Sequence, residues 1–133
     1  MARHIQDALL RVVTALPAAA ANNDSDAIDL EQVSADTINE KFELQIKVPA
    51  LPALVEAKKL TITVQDSADN ESFAAVPELA TLVITGESGN GADAAERTVR
   101  LPSTARRYIR INQAVESGGG SNIAVKTTLQ LLF

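Results

Sequence analysis

Few side chains in this sequence could do chemistry, and those that could stand apart from one another. His4 is the only histidine and there is no cysteine. A histidine acting as a base needs a second group to orient it. Nothing around His4 supplies one, so it reads as a solvated residue near a terminus. Without thiolates, and with a single imidazole, a zinc site would need an unusual carboxylate set. Disulfides and thiol chemistry cannot operate, and redox usage gives no compartment. Asp66, Asp69, Asn70 and Glu71 carry oxygens of the kind calcium takes. Their spacing is not that of an Asp-x-Asp-x-Asp-Gly loop, and a hairpin turn uses the same residues. The glycine-rich Gly86-Glu-Ser-Gly-Asn-Gly91 lacks the lysine and the following helix of a phosphate loop. The reading is therefore of a protein that is not an enzyme, with no catalytic residue, cofactor or metal.

Charge placement says more. Five of the twelve basic residues, Arg97, Arg100, Arg106, Arg107 and Arg110, fall within fourteen positions. Between Asp24 and Glu96 there are fifteen acids against four lysines. Such a distribution is either a solvated strand face with internal ion pairs or a surface complementary to another copy or an acidic partner. The net charge of −5 argues against nucleic acid, because neutralising phosphates needs a basic face. No apolar run approaches the roughly 20 residues of a membrane span. Residues 1–21 superficially suggest a secretion signal, but Asp7 and Arg11 interrupt the apolar part and Pro17 follows.

The elements that would hold these residues are strands. Phe42, Leu44, Ile46 and Val48 alternate with Glu43, Gln45 and Lys47, which predicts a strand with one face inward. Leu60-Thr-Ile-Thr-Val64 repeats the pattern, and Asp66–Glu71 then turns the chain so that Phe73–Val76 can return as a hairpin partner. Ile28-Asp29-Leu30, Thr81–Thr85, Arg97–Leu101, Arg107–Ala114 and residues 123–133 read as further strands, the last with Val125, Leu129, Leu131 and Phe133 on one face. Gly118-Gly-Gly120 is a loop. With 46% apolar residues but only four aromatics, the core must be built from Val, Ile, Leu and Ala. That suits a thin sandwich.

The start of the chain is ambiguous. Ile5, Ala8, Leu9, Val12, Val13 and Leu16 recur at spacings of three and four, as in an amphipathic helix, whereas Val12-Val13-Thr14 suit an extended arm. Residues 18–26 read as a linker. Two regions result: an N-terminal arm or short helix plus linker at 1–25, and a β-sandwich domain at 26–133. The fold class is all-β, an antiparallel β-sandwich of the jelly-roll kind. The apolar face of Ile5, Leu9, Val12, Val13 and Leu16 and the five arginines are the candidate contacts with a partner or another copy.

Short segments spread along the chain carry a family resemblance. They are Asp7-Ala-Leu-Leu10, Ile28-Asp29-Leu30, Val48-Pro-Ala-Leu-Pro52, Thr61-Ile-Thr-Val-Gln-Asp-Ser67, Phe73-Ala-Ala-Val76, Val99-Arg-Leu-Pro102, Arg106-Arg-Tyr-Ile-Arg-Ile111 and Leu131-Leu-Phe133. Together they resemble the small capsid cement, or decoration, proteins of tailed bacteriophages. The resemblance implies a jelly roll on the exterior of the virion's icosahedral capsid, bound to the phage major capsid protein and to itself as a homodimer or homotrimer. It carries no catalytic residues and no fixed contact motif. A rival likeness, from Gln65-Asp-Ser-Ala-Asp-Asn70, Phe73 and Arg107–Ile111, is to discoidin-like modules that bind carbohydrate or cell surfaces. Those usually show a tryptophan, and this chain has none.

Overall fold

The structure, a computed structural model, describes residues 6–30, 43–79, 81–102 and 105–132. These hold ten strands: β1 (Gln6–Ala15), β2 (Asn22–Asp24), β3 (Ile28–Asp29), β4 (Glu43–Val48), β5 (Lys59–Ser67), β6 (Ala74–Ala75), β7 (Leu82–Thr85), β8 (Ala95–Arg100), β9 (Tyr108–Val115) and β10 (Lys126–Leu132). One sheet runs β1-β10-β4-β8. The other is built on the β9–β5 pair, with β2 and β3 in succession along the far side of β9 and β6 and β7 along the far side of β5. Every pairing between strands is antiparallel.

The order of pairing defines the topology. The first strand meets the last (β1 with β10), the next meet the one before it (β2 and β3 with β9), then β4 meets β8, and β5 meets β6 and β7. A long hairpin rolled up in this way is a jelly roll. The alternation read in the sequence is the alternation observed. Leu44, Ile46 and Val48 of β4 and Leu129 and Leu131 of β10 face Leu60, Ile62 and Val64 of β5 and Ile109, Ile111 and Val115 of β9, all buried. Each such side chain contributes about 1.5–3 kcal/mol when fully removed from water. Leu51, Leu54 and Leu101, from the connections, close the ends of this aliphatic core.

Of the two forms expected for the N-terminal segment, the structure takes the extended one. Residues 6–15 form a strand, not a helix, and β1 and β2 are members of the two sheets although both precede residue 26. Gln6 lies opposite Leu132 and Arg11 opposite Gln130, so β1 advances five residues while β10 advances two, and the ladder carries a register shift. Residues 18–26, read as a linker, contain β2, whose Asn22, Asn23 and Asp24 pair with Ala114, Gln113 and Asn112.

Two glycines set how closely the loops pass. A Cβ on Gly86 would stand 2.1 Å from the carbonyl oxygen of Val55, and one on Gly120, at φ +82°, 2.2 Å from that of Ala53. Backbone packs directly on backbone at both crossings, and only glycine permits it.

Candidate interaction surface

The carboxylates considered as cation ligands are occupied otherwise. Asp66 is buried near the end of β5, with Arg106 closing on it. Arg106 donates to Asp66 Oδ1 from Nε at 2.9 Å and from Nη2 at 2.7 Å, and its backbone N–H donates to Oδ2 at 3.0 Å. Nη2 also reaches the Asp66 carbonyl at 2.8 Å. This grip holds the Arg106 guanidinium above its ordinary pKa. Asp69 caps its own turn: Oδ1 accepts from Ser67 Oγ at 2.8 Å, Glu71 N–H at 2.9 Å and Ser72 N–H at 3.0 Å. The N–H groups of Ser72 and Glu71, followed by the Ser67 hydroxyl, pull its pKa from 3.8 down to about 2. Hydrogen bonds to the charged form favour that form. Among the described residues no three His, Asp or Glu side chains stand together as a metal site. The Gly86–Gly91 loop closes on itself through Glu87 N–H to the Gly91 carbonyl at 2.7 Å, and Asn90 Oδ1 accepts from Glu56 N–H.

The five arginines separate into two groups. Arg106, Arg107 and Arg110 lie at the start of β9. Arg107 donates from Nε and Nη2 to the two oxygens of Asp29 at 2.9 and 3.0 Å and lies 4.8 Å from the centre of the Tyr108 ring. Arg110 stacks 3.8 Å over Phe73, donates from Nε to Gln65 Oε1 at 2.9 Å and stands 3.5 Å from Asp24. Strand alternation places Tyr108, Arg110 and Asn112 on the outer face of β9 beside Ser67, Gln65 and Thr63 of β5. Around this start of β9 the internal-ion-pair account holds.

Arg97 and Arg100 belong to β8, at the edge of the other sheet. Arg97 leans across the mouth of the sandwich and donates to the carbonyl of Thr81 at 3.0 Å. Arg100 is exposed, on the outer face with Glu96 and Thr98. Gln45 of β4 donates to Glu96 Oε1 at 2.8 Å, which orients that carboxylate on the same face.

The apolar candidates at the start of the chain divide too. Leu16 is part of the core and Val12 packs against it, while Val13 is 48% exposed on the outer face of β1. Leu9 lies in β1. Ile5, like His4, lies outside the described residues. The Arg106–Asp66 clamp and the Arg110–Phe73 stack were not foreseen. They depend on β9 lying beside β5 and β6 beyond it, across some forty residues of chain.

A family model described as Bbp16 matches residues 11–127, a name of phage type. Among curated proteins none matches the sequence.

Proposed function

The chain belongs to the Bbp16 family, and from that premise we propose that it is a structural virion protein that decorates the outside of an icosahedral phage capsid and ties neighbouring capsid subunits together. The observation that carries this reading is the extent of the match. It runs from within β1 to the start of β10, so the likeness concerns the rolled sandwich as a whole and not one loop. The side chains agree with a scaffold role. Carboxylates that could have done chemistry are bonded into a clamp and a turn. β8 and β9 present mainly polar outer faces, and the core beneath is aliphatic. A cement protein needs a rigid body and repeated weak contacts, because many copies on one shell multiply a modest affinity.

Purified protein is expected to bind capsids assembled without it and to raise the temperature or denaturant concentration at which they come apart. Failure to bind such capsids, combined with binding to a glycan array, would transfer the reading to a discoidin-like carbohydrate module. Sugar stacking needs a bare aromatic face. Arg110 lies over Phe73 and Arg107 over Tyr108, which favours the capsid reading.

A further inference from the structure

We propose that Asn90 is a site of spontaneous covalent modification gated by its own loop: Asn90-Gly91 passes through a succinimide to aspartate and isoaspartate only while the loop is released from residues 54–56. Asn90 is the only asparagine followed by glycine in the chain. It stands exposed in the turn between β7 and β8, at φ +70°. The chemistry needs no reagent but water. The Gly91 nitrogen gives up its proton and bonds to Cγ of Asn90, the Cγ–Nδ2 bond breaks, and the side-chain nitrogen leaves as ammonia. Water then opens the ring at one carbonyl or the other, giving aspartate or isoaspartate. Glycine in the second position has no Cβ to hinder the attacking nitrogen.

In the folded protein both reacting groups are held. Ring closure needs rotation about the Cα–C and Cα–Cβ bonds of Asn90. The first is fixed because Gly91 N–H donates to the Leu54 carbonyl at 2.7 Å and the Gly91 carbonyl accepts from Glu87 N–H at 2.7 Å. The second is fixed because Asn90 Oδ1 accepts from Glu56 N–H at 3.0 Å. Leu54 and Glu56 both lie on the connection between β4 and β5, which the loop meets again where the Gly86 carbonyl accepts from Ala57 N–H at 3.0 Å. The reaction therefore waits for a local opening of the loop. Isoaspartate lengthens the backbone by one methylene, so the bonds to Leu54 and Glu87 lose their register and the loop stays released. Asn70 is the natural comparison. It is also exposed, at φ +62°, but the next residue is Glu71, whose side chain hinders attack.

The same Gly91 N–H must come free for ring closure and for hydrogen exchange, and base promotes both. The test follows the two together on the full-length protein. In urea, peptide mapping by mass spectrometry should show the Asn90 peptide converting while the Asn70 peptide does not. In native buffer at the same pH and temperature, conversion should slow at least roughly tenfold, equivalent to a local opening of about 1.4 kcal/mol. The slowing should equal the protection factor that exchange gives for the Gly91 amide. Gly86→Ala sets a Cβ 2.1 Å from the Val55 carbonyl oxygen and should speed native conversion and Gly91 exchange together. Should this variant not fold, the wild-type comparison decides alone. Asn90→Ser should abolish the modified species. Native conversion as fast as that in urea overturns the proposal. So does an unconverted Asn90 peptide in urea, or a slowing that departs from the Gly91 protection by more than about threefold.

Discussion

The two ends of one arginine-rich stretch behave differently, although both lie on strands of the same sandwich. Around the start of β9, Arg106, Arg107 and Arg110 each hold a carboxylate, and two of them also cover an aromatic ring. On β8, Arg97 reaches inward to a carbonyl and Arg100 remains on an exposed edge. The contrast follows from neighbours rather than from residue type. β9 is central in its sheet, with β5 on one side and β2 and β3 on the other, so Gln65, Asp24 and Asp29 arrive beside it. β8 has β4 alone. A basic cluster in sequence is thus divided in space between the centre of one sheet and the edge strand of the other.

The largest effect should come from breaking the network at its most buried point. Asp66→Ala removes the acceptor for three donors of Arg106 and should cost about 1–3 kcal/mol in chemical denaturation, moderated because the guanidinium is half-exposed and can be rehydrated. Arg110→Ala loses the Phe73 stack and the Gln65 bond, with an expected cost of about 1 kcal/mol. Arg100→Ala, at an exposed position opposite Glu43, should leave the unfolding free energy within about 0.5 kcal/mol. A comparable loss of stability in this variant would erase the distinction between the two groups. Smallest at neutral pH is the titration of Asp69. Its folded pKa is depressed, so its contribution is fully present above the ordinary value of 3.8 and is lost as pH falls through about 2. Carboxyl NMR should find that low midpoint, and the stability difference between wild type and Asp69→Ala should disappear across the same interval.

Much of the sandwich was legible because strands in a half-buried sheet must alternate. Leu44-Gln-Ile-Lys-Val48 and Ile109-Arg-Ile111 announce their faces without any knowledge of what lies opposite. β1 was legible only as one of two alternatives, because Val12-Val13-Thr14 suit an extended arm while the spacing of Ile5, Ala8, Leu9, Val12, Val13 and Leu16 suits a helix. β2 was hidden for a different reason. Asn22-Asn-Asp24 has poor strand propensity and is held there by partners, with Asn112 donating to Asp24 Oδ1 at 2.8 Å and Asn23 donating to the Ala15 carbonyl at 2.9 Å. The arginines were visible as a cluster, but their division was not. That Arg110 meets Gln65 while Arg100 stands across the ladder from Glu43 depends on which strands are neighbours, and that is a property of topology rather than of local pattern.

The pairing of β1 with β10 sets a condition on how the molecule can form. Val12 meets Leu129 and Ala15 meets Lys126, so β1 has to wait for residues more than a hundred positions later before it gains this ladder. β10 then inserts between β1 and β4, closing both gaps together. Closure over such a span is slow to find, and chains rich in distant contacts fold slowly for that reason. Until β10 arrives, the edge of β4 that it pairs with is open, so the half-made sheet is the state most exposed to wrong association. Chaperone dependence, if it is found, should therefore track substitutions in β10 more closely than those in the β5–β7 hairpin.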